Sequence, residues 1–160
     1  MTMHGPRGTL TQEAGVNVIT FQRSYAAAPE RVWDALTTVD GITSWLAPDA
    51  AIDAVQGGIV RLRFDDDNEV TGTITLWDPY TDFEHEWIIN GSVMSHVRYT
   101  LAAVAGGTEL TLTHRGLPDE MSGGYTPGWH AYCARLDASI GGTEMPDWLD
   151  VFQSVAEIYN

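Results

Sequence analysis

The side chains of this sequence best suited to chemistry near neutral pH are five histidines and a single cysteine, Cys133. An imidazole facing a cavity can move a proton or orient a ligand, and a thiolate can attack an electrophile. Two histidines fall on the apolar face of strand-like runs: His85 between Phe83 and Trp87, and His114 after Leu110 and Leu112. Each reads either as a polar contact in a cavity or as a core histidine satisfied by a neighbour, since a buried imidazole must be hydrogen-bonded. Glu84 and Glu86 flank His85 but point to the opposite face of the strand, so neither can orient its ring. His96 belongs to an outward-facing set, and His130 stands one step off the buried stripe of a helix. Cys133 lies on that stripe among apolar residues, where a thiol has a raised pKa and is inert.

No catalytic residue is assigned. A Gly-x-Ser-x-Gly elbow and a phosphate-cradling loop are both missing, and Gly57-Gly58 belongs to a hairpin and opens no helix. The histidines and the cysteine show no metal-ligand spacing such as two histidines at i, i+4. Asp65, Asp67 and Glu69 resemble part of a calcium loop, but Val70 stands where that loop requires glycine, and a solvated hairpin tip is the simpler reading. Neither a metal nor a cofactor is expected.

The aromatic residues say more. Trp45, Phe64, Trp87, Tyr99, Tyr125 and Trp129 are all placed to converge on one interior space, together with Leu112 and Cys133. With His85 and His114 they make up the candidate ligand-binding set. Such rings either fill a core or line a pocket of a few hundred Å³.

The elements that must hold these residues follow from periodicity. Residues 1–15 are polar and Gly-rich and read as a mobile tail; residues 16–160 read as one domain. Val16 to Tyr25 is a first strand with Ile19, Phe21 and Tyr25 on one face. Pro29 opens a short helix with Val32, Trp33 and Leu36 buried, and Asp40 caps a second one carrying Ile42, Trp45 and Leu46. The period then changes from 3.6 to 2. About six strands follow, separated by Gln56-Gly57-Gly58, Asp65 to Asn68, Asp78-Pro79, Asn90-Gly91 and Gly106-Gly107. Short connections make the pairing antiparallel. A one-sided sheet needs a cover, and the long helix available runs from Tyr125 to about Ile140, with Tyr125, Trp129, Cys133, Leu136 and Ile140 at helical spacing. A segment from Pro146 onward packs as an appended helix. The fold class is α+β, with a curved antiparallel sheet of about seven strands wrapped around a long C-terminal helix.

Composition bounds the partners. The chain of 160 residues carries 22 acidic against 8 basic side chains, a net charge of -14. Nucleic acid and anionic membrane surfaces both require a clustered basic face, so neither is an expected partner. One cysteine excludes an internal disulfide framework. With no signal-peptide pattern and no apolar run of about 20 residues, a soluble cytoplasmic protein is expected.

The order of elements is that of the helix-grip fold, and particular residues narrow it. Ala28-Pro29-Glu30-Arg31-Val32-Trp33-Asp34-Ala35-Leu36-Thr37, Trp45-Leu46-Ala47, Gly57-Gly58, Asp78-Pro79, Glu86-Trp87, Gly107 to His114 and Gly128-Trp129 occur in series. Together they resemble the bacterial family related to the C-terminal domain of the Hsp90 ATPase activator, within the Bet v 1-like and START-like (SRPBCC) superfamily. The resemblance implies a cavity between sheet and long helix. It makes noncatalytic binding or transport of a small hydrophobic or aromatic molecule the first functional expectation. A cyclase or lyase acting on polyketide-like or aromatic substrates through His85 and His114 is the second, and a co-chaperone-like interaction module the third. Homodimerisation through an exposed Trp77 and the C-terminal aromatics is a further expectation.

Overall fold

Eight strands form one antiparallel sheet in the computed structural model, which describes residues 4–159. In chain order they are β1 (Thr9–Glu13), β2 (Val16–Tyr25), β3 (Asp49–Ile52), β4 (Ile59–Asp65), β5 (Asn68–Asp78), β6 (Asp82–Ile89), β7 (Val93–Val104) and β8 (Gly107–Arg115). Their spatial order is β1-β2-β8-β7-β6-β5-β4-β3, so the meander from β3 to β8 closes onto β2. Helices α1 (Pro29–Thr37) and α2 (Val39–Trp45) follow β2, α3 (Asp119–Gly141) follows β8, and α4 (Trp148–Val155) ends in a short 3-10 turn, Ala156–Tyr159. This is the helix-grip arrangement. No helix among the described residues is long and apolar enough to cross a membrane.

The expected strand faces are present. Ile19, Phe21 and Tyr25 of β2, Val97, Tyr99 and Leu101 of β7, and Leu110 and Leu112 of β8 are all buried. The opposite face carries cross-strand ion pairs, Arg98 with Asp82 at 2.8 Å and Arg61 with Glu69 at 3.4 Å, each of modest value in solvent. Helices α1 and α2 approach so closely that a Cβ on Gly41 would lie 2.1 Å from the Asp34 carbonyl. Only glycine fits there. The cap of α2 is Thr38, whose hydroxyl accepts the Gly41 N–H at 2.9 Å, and not Asp40, which sits inside the first turn.

Three boundaries differ from the sequence reading. Within the stretch read as a tail, Thr9–Glu13 is strand β1, paired with β2 from Thr9↔Thr20 to Glu13↔Val16; residues 1–3 lie outside the described residues. All five residues of β1 are exposed, so no apolar alternation marks it. Helix α3 begins at Asp119, six residues before Tyr125, with Pro118 at its N-cap and the acidic pair Asp119 and Glu120 in its first turn, where they complement the helix dipole. Trp77 is not exposed. A register shift between Ile74 and Leu76 turns it toward the core, where its ring centroid lies 5.1 Å from Trp33 and 5.6 Å from Phe83. Trp77, on whose full exposure the pairing expectation relied, is thus half-buried.

The first half of α3 is a poor helix by composition, with Gly123, Gly124, Pro127 and Gly128 in succession. Gly123 is exposed, and a Cβ added there would meet nothing within 4 Å. Gly123→Ala is therefore expected to raise stability by about 1 kcal/mol, read as a higher urea midpoint at unchanged slope. An unchanged or lower midpoint would show that this turn is not helical in solution.

Candidate functional site

The weak first half of α3, the β4–β5 hairpin, β6 and the start of α4 line a cavity of about 580 Å³ that opens to solvent. Six aromatic side chains line it, Phe64, Trp87, Tyr125, Trp129, Tyr132 and Trp148, together with Ile89, Asp65, Asn68, Gly124 and Gly128. The rings form a continuous wall. Phe64 lies 5.8 Å from Trp87, Trp87 5.4 Å from Trp129, Trp129 6.0 Å from Tyr132, and Tyr132 6.0 Å from Phe64, centroid to centroid. Trp148 extends the wall at 5.5 Å from Tyr132. Tyr125, Gly128, Trp129 and Tyr132 sit at i, i+3, i+4 and i+7 of α3, one continuous helix face. Gly124 and Gly128 carry no side chain that would fill the space in front of it.

The back of this wall is held by a chain of hydrogen bonds. Trp129 donates its indole N–H to His114 Nδ1 at 2.8 Å, so that nitrogen carries no proton. His114 Nε2–H then donates to Ser95 Oγ at 2.7 Å, and the Ser95 hydroxyl donates to the Trp87 carbonyl at 3.2 Å. Trp87 in turn donates its indole N–H to the Tyr125 hydroxyl at 3.2 Å. One buried imidazole thus orders three rings of the wall. Burial pushes the His114 pKa down to about 3, and protonation at Nδ1 would break the bond to Trp129. His114 is a positioning residue here.

His85 is also buried, and its Nδ1–H donates to the Glu86 carbonyl at 2.8 Å. Burial pushes its pKa down to about 4, so the ring is neutral at physiological pH. It stands within the aromatic core beside Phe83, Trp87 and Tyr99. Trp45, Tyr99, Leu112 and Cys133 are core residues as well. Trp45 gives its N–H to the Ala35 carbonyl at 2.8 Å, and burial pushes the Cys133 thiol up to about 12. The structure therefore brings Phe64, Trp87, Tyr125 and Trp129 to one cavity and places the other six sequence candidates behind it. Neither histidine lines the cavity.

Sequence reasoning missed Tyr132, Trp148, Asp65 and Asn68 as lining residues. The i, i+7 spacing of Tyr125 and Tyr132 was a usable signal, whereas the approach of Trp148 depends on how α4 folds back. It does so through a small apolar cluster of Ala131, Ala134, Val151 and Val155, and by Trp148 Nε1–H donating to the Gly128 carbonyl at 3.2 Å. His130, expected off the buried stripe, is fully buried and pairs with the Tyr159 hydroxyl at 2.6 Å. A second cavity, of about 720 Å³, lies near the other end of α3 and is more polar, with Arg23, Tyr25, Glu109 and Asp137 in its wall. There Arg23 pairs with Asp137 at 3.1 Å and Tyr25 donates to the same carboxylate at 2.9 Å. No sequence candidate lines it.

Residues 26–141 match the family described as Activator of Hsp90 ATPase homolog 1-like protein. No curated protein matches the chain by sequence. Among solved structures, CalU16 from Micromonospora echinospora is 25% identical with a TM-score of 0.78, covering 96% of this chain and 94% of its own. The Aha1 dimer from Colwellia psychrerythraea is 22% identical at a TM-score of 0.66, over 77% of this chain and 95% of its own. DynU16, from the dynemicin biosynthetic locus, is 22% identical at 0.68; the match spans 78% of this chain but 47% of DynU16. At these identities the last two speak for the fold alone.

Proposed function

The chain belongs to the Activator of Hsp90 ATPase homolog 1-like family, and from that premise we propose that it binds a small hydrophobic or aromatic molecule, without transforming it, in the aromatic cavity beside α3. The observation that supports this reading is the cavity itself: about 580 Å³, walled by six aromatic side chains and braced from behind by the His114 chain. A site already held in shape loses little ordering entropy when it closes on a ligand. A catalytic reading through His85 and His114 needs an imidazole that reaches the bound molecule, and both histidines stand behind the wall.

The neutral fluorescent probe N-phenyl-1-naphthylamine tests the reading. Saturable binding with quenching of tryptophan emission is the expected result for the native chain. Gly124→Leu supplies the control, because a Cβ at Gly124 meets nothing within 4 Å and the residue lines the cavity. That side chain should fill the space, leave the core alone and abolish binding. Equal binding to both forms, or none to either, would sink the proposal.

A further inference from the structure

Resting on that reading, we infer that the cavity selects an organic cation, an aromatic or aliphatic ammonium, over a neutral or anionic molecule of the same shape. The lining contains no Lys, Arg or His. Its one ionisable group with a charge at neutral pH is Asp65, which hydrogen bonds from Asn68 and from the Asp67 N–H hold below the usual carboxylate range. The same hairpin tip carries Asp67 and Asp66, the latter paired with Arg63 at 3.4 Å, and the whole chain bears a net charge of -14.

The indole donors of the lining are spent, which leaves the hydroxyls of Tyr125 and Tyr132 as its aromatic O–H groups. Trp87 gives its N–H to Tyr125, Trp129 to His114 and Trp148 to the Gly128 carbonyl. What these tryptophans have left to offer a guest is ring surface, whose faces carry the negative end of the aromatic quadrupole and attract ammonium groups. Asp65 supplies the counter-charge at the mouth, and the field of the chain draws cations toward it.

Three ligands of matched shape test this: benzyltrimethylammonium, its carbon isostere neopentylbenzene, and the anion phenylmethanesulfonate, each titrated at low salt against tryptophan fluorescence. The ammonium should bind at least about ten-fold more tightly than the isostere, and Gly124→Leu should abolish its binding. Asp65→Asn keeps the Oδ1 acceptor that holds the turn and should weaken the ammonium several-fold without changing the isostere. Added salt should weaken the ammonium alone. If the isostere or the sulfonate binds as tightly as the ammonium, or if Asp65→Asn leaves the ammonium unchanged, the selectivity is overturned and the cavity reading survives. If none of the three binds, and N-phenyl-1-naphthylamine does not bind either, both fall together.

Discussion

Replacing Trp129 with alanine is expected to destabilise the domain by about 3–5 kcal/mol, the usual range for deleting a buried aromatic ring. Trp129 is 2% exposed and touches Trp87, His114 and Tyr132. Its loss removes that packing and also strips the donor from His114 Nδ1, leaving a buried acceptor unpaired. Trp129→Phe separates the two contributions, since it keeps most of the ring and removes only the N–H; a cost of about 1–3 kcal/mol is expected for the orphaned acceptor. Against a typical total of about 5–15 kcal/mol, the alanine variant should show a much lower urea midpoint. A loss under 1 kcal/mol for alanine would mean that the indole does not hold the wall together.

The second large effect is a loss of stability in acid, carried by two buried neutral imidazoles. Burial holds His85 at about 4 and His114 at about 3, whereas both sit near 6.5 in an unfolded chain. A histidine with a depressed folded pKa is neutral in the fold while the unfolded form already takes up a proton, so stability is full above pH 6.5 and falls below it. Each such proton contributes a slope of about 1.4 kcal/mol per pH unit, and two give close to twice that between about pH 6 and 4. Asp137, whose carboxyl is raised by burial, binds its proton more readily when folded and offsets part of the slope at the acid end. Urea midpoints between pH 8 and 4 measure the effect. His85→Phe should remove about one proton from the slope, and a pH-independent midpoint over this range would contradict the burial of both rings.

Much of this was legible beforehand, because alternation along β2, β7 and β8 and the 3.6-residue spacing of Trp129, Cys133 and Leu136 are direct consequences of which faces meet. What escaped has a physical reason in each case. Strand β1 buries nothing and is held by backbone pairing with β2, so no side-chain pattern reports it. Trp77 faces inward because a register shift breaks the two-residue period, a feature that alternation alone cannot reveal. The early start of α3 was masked by glycines and a proline whose helical state is imposed by packing. At the site, the sequence placed ten residues inward but could not separate those facing the cavity from those behind it. That distinction depends on where α4 lays Trp148, and on small residues at Gly124 and Gly128 leaving room.

The six tryptophans make the central claim directly measurable through their indole N–H resonances in a nitrogen-correlated spectrum. Trp87, Trp129 and Trp148 line the cavity, while Trp33, Trp45 and Trp77 pack elsewhere. Titration with benzyltrimethylammonium or N-phenyl-1-naphthylamine should shift the first three signals saturably and leave the other three in place. Shifts spread evenly over all six, or no shift with either compound, would contradict a ligand-binding cavity beside α3.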